Sequence, residues 1–127
     1  MEKWFGKGVS KLRTMTLERA FGPTCVIFIG KYINGFFLPT LNGDSKRVLR
    51  YLRGMRVNRK KVPCYSIKPE SSIGKEFVKK AEAKTGQKGL PMVIACKDVE
   101  VLDAWVNPSI SEMGTMQELI GRYMKPA

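Results

Sequence analysis

The 127-residue chain contains no histidine. That absence removes a Ser-His triad, an imidazole metal site and imidazole acid–base catalysis. Sulfur is sparse too: Cys25, Cys64 and Cys96 lie far apart in sequence, each within an apolar stretch. An odd, scattered set argues against a disulfide framework and for a reducing compartment, so the expected location is intracellular (cytoplasm, organelle matrix or virion) rather than secreted. Three scattered cysteines are also an unusual donor set for zinc, and no metal or cofactor is expected. No apolar run approaches the roughly 18 residues of a membrane span, and nothing resembles a signal peptide with its apolar core and small-residue cleavage site.

Acidic residues are the other shortage. Lysine and arginine number 23 against 11 acids, a net charge of +12, and nearly all of the excess falls in residues 1–64. From Ser45 to Lys68 there are nine basic residues and no acid. A field of this sign draws anionic partners: RNA, DNA, lipid head groups or an acidic protein surface. Lys46, Arg47, Arg50, Arg53, Arg56, Arg59, Lys60 and Lys61 form the candidate face for such a partner. Asp98, Glu100 and Asp103 read as a solvated turn and edge rather than a paired acid site.

What remains is ample for one core, since 43% of the residues are hydrophobic. Residues 1–21 read as a basic N-terminal arm or helix, in which positions 5, 9 and 12 share a helical face but Gly6 and Gly8 weaken it. Residues 22–127 read as the domain. Residues 25–30 form a buried strand, residues 45–55 a helix with Val48, Leu49, Leu52 and Met55 inward, and residues 61–67 a strand whose Pro63 suggests an exposed edge. Ser71 or Ser72 caps a helix ending at Gly86, with Ile73, Phe77 and Ala81 inward. Thr115 to Glu118 reads as a capping box for the last helix. Residues 89–107 carry two apolar runs parted by Lys97-Asp98, a β-hairpin whose first arm shows no polar alternation and is expected to be covered on both faces.

Gly89-Leu90-Pro91 followed by five apolar residues resembles the C-terminal half of thioredoxin, where a Gly-Ile-Pro opens the same hairpin and the proline is cis. The resemblance covers about residues 25–124. It implies an α/β fold with a four-stranded mixed sheet, helices on both faces, and the strand at 25–30 lying between those at 62–67 and 92–97. It also implies that Pro91 is cis and faces the loop after the first strand. Aligned strand on strand, Tyr32 falls on the family's tryptophan, while Ile33 and Phe36 fall on its two cysteines. Both sulfurs are absent in every register. Thiol exchange needs a reachable thiolate and a resolving sulfur, and neither is visible here.

The resemblance therefore implies a redox-inactive member without catalytic residues. Its expected role is that of an accessory subunit in a larger assembly, binding protein through the rim Tyr32, Ile33, Phe36, Phe37 and Pro91. The apolar residues 32–38 either pack under the next helix or form an exposed patch that a partner covers. Two other classes stay open: a nucleic-acid-associated basic module, and an atypical thiol oxidoreductase working through a single cysteine.

Overall fold

The computed structural model describes residues 9–11, 24–98 and 100–124. Its elements run β1 Val9–Lys11, β2 Thr24–Ile29, β3 Tyr32–Asn34, β4 Pro39–Leu41, α1 Gly43–Gly54, β5 Arg56–Val57, β6 Lys60–Lys61, β7 Cys64–Ile67, α2 Ser72–Thr85, β8 Met92–Lys97, β9 Glu100–Val106 and α3 Ile110–Tyr123. The main sheet has the order β1-β7-β2-β8-β9. β2 runs parallel to β7 and antiparallel to β8, so the expected four-stranded mixed sheet is present with its first strand in the centre.

A fifth strand was not foreseen. Val9–Lys11 pairs antiparallel with β7, Val9 opposite Ile67 and Lys11 opposite Tyr65. Those three residues are extended where the sequence suggested an arm with a helical face, and β7 is an interior strand rather than an edge. Pro63 signals only the entry to β7: its carbonyl accepts from Val26 N–H at 2.9 Å, and its missing N–H lies before the ladder begins. The rest of the N-terminal arm, including Trp4 and Phe5, lies outside the described residues, as does Val99.

β2 reads as an unbroken apolar run because both of its faces are covered. Val26 and Phe28 point into a core shared with α1 and α3, through Val48, Leu52, Met116 and Ile120. Cys25, Ile27 and Ile29 point the other way, into a core shared with α2 through Phe77 and Ala81. Each such fully buried large side chain contributes about 1.5–3 kcal/mol of transfer free energy.

The helix ends follow local chemistry. Asn42 caps α1 by accepting from Ser45 N–H, and Ser71 caps α2 by accepting from Gly74 N–H. In α3 the capping box is Ser109 with Glu112, not Thr115 with Glu118. Both tetrapeptides suit the motif, but Pro108 halts the chain just before Ser109, and Met113 and Met116 bury against the first core. The helix therefore starts a turn and a half earlier than expected. Among the described residues no helix is long and apolar enough to cross a membrane.

Candidate functional site

The C-terminal end of β2 and the start of β8 meet at one end of the sheet, where Ile29 pairs with Met92. From this end the chain rises as a small hairpin in place of a helix start. Lys31 anchors its base twice: its N–H donates to Ser45 Oγ at 2.8 Å, and its carbonyl accepts from Asn42 N–H at 2.9 Å. The hairpin is thus pinned to the first turn of α1. Gly30 permits the close approach, since a Cβ there would lie 2.5 Å from Leu41 Cδ2.

β3 and β4 pair Tyr32 with Leu41, Ile33 with Thr40 and Asn34 with Pro39. Gly35 N–H donates to the Leu38 carbonyl at 3.1 Å, which leaves Phe36 and Phe37 as the two residues of the tip. Gly35 is required there, because a Cβ would stand 2.3 Å from the Leu38 oxygen. The two rings meet edge to face with centroids 4.5 Å apart. Phe36 is 92% exposed, Phe37 87% and Leu38 73%, with Ile33 and Tyr32 also exposed below them. Of the two readings of this loop, the structure takes the exposed one.

Turn tips favour Gly, Asn, Asp and Pro, so two phenylalanines side by side serve no local conformational need. Two such rings present on the order of 300–400 Å² of apolar surface, whose removal from water supplies about 7–10 kcal/mol before the costs of association. Tyr32 carries the hairpin's sole titratable side chain.

Tyr32, Ile33, Phe36 and Phe37 are brought together on the hairpin, but Pro91 is not on the exposed rim. The Leu90–Pro91 bond is cis, as the resemblance implied, yet Pro91 is buried and its carbonyl accepts from Asn107 N–H at 2.7 Å. Asn107 belongs to a polar knot that joins α1 to the start of α3. Arg47 donates to the Pro108 carbonyl at 3.0 Å and to Asn107 Oδ1 at 3.3 Å, with Asp44 3.7 Å away. Arg47, counted among the anion-facing cations from sequence, is thereby held in an internal role.

The other basic residues extend along α1 and into a second hairpin, β5–β6, in which Arg56 pairs with Lys61 and Val57 with Lys60. Its tip is Asn58-Arg59, with φ of 52° and 66°. Gln117 of α3 holds it from behind, donating to the Arg56 carbonyl at 3.5 Å and bonding the Tyr51 hydroxyl. Sequence reasoning missed both hairpins; Asn58 was the signal for this one, being the residue favoured at the first position of such a turn.

No family model, no curated protein and no solved structure matches this chain.

The cysteines sit at the opposite end of the sheet. Cys25 and Cys96, 71 positions apart in sequence, face each other across β2 and β8 with sulfurs 3.5 Å apart, both fully buried. Their separation along the chain concealed this, because register rather than spacing brings cross-strand residues together. The hydrogen bond with Cys96 and burial both push the Cys25 thiol well above its usual range, which disfavours the thiolate that exchange chemistry requires. Cys64 packs into the other core, beyond the sheet.

Proposed function

We propose that this chain is a non-catalytic, thioredoxin-like interaction subunit of a larger assembly. It docks on protein through the β3–β4 hairpin and turns a basic face toward an anionic partner. The exposed Phe36–Phe37 tip carries the reading: a rigidly anchored apolar point at a place where local turn chemistry calls for polar residues and glycine. The sheet order with helices on both faces, and a Gly-Leu-Pro entrance to β8, support the thioredoxin-like assignment. On that assignment Ile33 and Phe36 align with the family's two cysteines, and both are exposed on the β3–β4 hairpin. A thiol oxidoreductase would have to work from Cys25, Cys64 or Cys96, all three buried, with the Cys25 thiol pushed well above its usual range.

The test is purification of tagged full-length protein from the cells that make it, followed by cross-linking and mass spectrometry, beside Phe36→Ser/Phe37→Ser. Wild type should bring down a defined set of proteins, with cross-links at residues 31–42. Since tip aromatics of this kind act as hot spots worth about 2 kcal/mol or more each, the double variant should lose those partners by about 1,000-fold in affinity. Recovery of the same proteins at the same stoichiometry with the variant would overturn the reading.

A further inference from the structure

We propose that α1 and the β5–β6 hairpin form a docking ridge for the phosphate backbone of a double-stranded nucleic acid, bound without reading base identity. This rests on the interaction-subunit reading above and names the anionic partner that it leaves open.

The placement of ion pairs points there, more than net charge. On α2 and α3 opposite charges alternate and pair: Lys80 lies 3.4 Å from Glu76, and Arg122 lies 3.2 Å from Glu118. On α1 the pair is Asp44 with Arg47, at the first turn, and Arg47 is already tied to the α3 junction. Lys46, Arg50, Arg53, Arg56, Arg59 and Lys60 are all exposed, and none has an ion-pair partner among the described residues. Surfaces kept only for solubility mix signs, as α2 does. Like charges four apart on a helix repel, and a bound polyanion relieves that repulsion.

The tip of the basic hairpin points the same way. A two-residue turn with both φ values positive favours Asn followed by Gly, and the second place here holds Arg59 at φ 66°. The chain accepts an unfavourable backbone state and gains a guanidinium at the outermost point of the hairpin.

Three features select a duplex backbone. Four of the six cations are arginine, whose planar fork matches phosphate oxygens. Residues 46, 50 and 53 recur on one helical face at about 1.5 Å per residue along the axis, a row rather than a pocket, and the hairpin with its further cations follows α1 directly in the chain. Nor, among the described residues of α1 and this hairpin, does an exposed aromatic accompany them. The Tyr51 hydroxyl is bound to Gln117 and to the Met113 carbonyl, and the Phe36–Phe37 tip joins the opposite end of α1. Single strands are gripped by stacking bases on rings, and the described residues of this ridge offer no free ring for that.

Fluorescence anisotropy over a salt series decides the matter, using the full chain with short RNA and DNA duplexes of two sequences, the matching single strand, an oligoglutamate and phosphatidylserine-containing vesicles. Duplexes should bind irrespective of sequence, with log K falling linearly in log salt. Arg53→Gln/Arg59→Gln should weaken every duplex alike and reduce the salt slope by about 2, with an unchanged thermal melt. Phe36→Ser/Phe37→Ser should bind duplex like wild type while losing protein partners, so each reading can fail without the other. An unchanged slope in the arginine variant would overturn the proposal. So would tighter binding to the single strand, or duplex affinity no greater than that for oligoglutamate or vesicles at matched salt.

Discussion

The two small hairpins sit at the two ends of α1, each closed by a two-residue tip, and they differ in nearly everything else. In β5–β6 the backbone takes the left-handed turn that suits strand twist, Val57 packs against the first core, and Gln117 holds the hairpin from behind. In β3–β4 neither phenylalanine has a positive φ, and the hairpin is anchored through its base, by Lys31, the half-buried Leu41 and Asn42. Water solvates an arginine tip at little cost, whereas it does not solvate a phenylalanine pair. Exposure therefore costs the basic hairpin little, whereas the apolar one keeps two rings in water, which is what the proposed docking would relieve.

Gly35→Val should break this contrast most severely. Its Cβ would meet the Leu38 carbonyl at 2.3 Å, a backbone atom that no rotamer change can move, so the Phe36–Phe37 tip should open. Partner capture should fall by at least about 10-fold, a smaller loss than removing both rings. The melting temperature should change little, because the tip buries almost nothing. Amide chemical shifts confined to residues 31–42 would check the localisation.

Arg59→Gly sharpens the comparison from the other end. Relief of the left-handed strain, less the extra backbone entropy of glycine, should stabilise the fold by about 0.5–1 kcal/mol, or a few degrees in melting temperature. The same change should lower the salt slope for duplex binding by about 1. Stability and binding would then move in opposite directions, which a purely structural role for Arg59 does not produce. Protein partners held by the apolar tip should be unaffected.

The smallest effect concerns α3, the helix behind the basic hairpin. Hydrogen bonds donated by the Ser109 N–H and by its hydroxyl hold the Glu112 carboxyl below its usual range in the folded state. A group with a depressed folded pKa contributes stability that is present above its unfolded value and lost as pH falls through the folded one. Amide exchange in the first turn of α3 should accordingly quicken as the solution is acidified through that window. Ser109→Ala should lessen the pH dependence, because the main-chain donor remains, whereas Glu112→Gln should remove it; both should leave exchange at residues 31–42 unaltered.

Much of this fold was legible because its signals are local. The cap at Ser71, the αL stop at Gly86, the inward stripes of α1 and α2, and the two-faced burial of β2 and β8 all follow from residue identity at fixed spacing, whereas α1 begins two residues earlier than its stripe suggested, capped by Asn42. The candidate site was legible in content but not in shape. Residues 32–38 stood out as too apolar for an idle loop, yet Asn34-Gly35 marks a turn two residues earlier than the true tip, and Phe36-Phe37 carries no turn signal at all.

By itself the sequence determined the chemistry of the two ends of α1: apolar before it, basic after it, and no histidine anywhere to catalyse. Only the tertiary structure decided how those groups are presented. Whether Phe36 lies under a helix or at a hairpin tip depends on Lys31 reaching Ser45 and Asn42, contacts that follow from where α1 packs on the sheet. Whether Arg47 meets a partner or its own chain depends on Pro108 arriving beside it from 61 positions away. The same holds for Cys25 and Cys96, and for the strand Val9–Lys11 beside β7. Each is a pairing between distant segments, set by sheet register and helix docking, and residue spacing along one chain carries no record of such pairings.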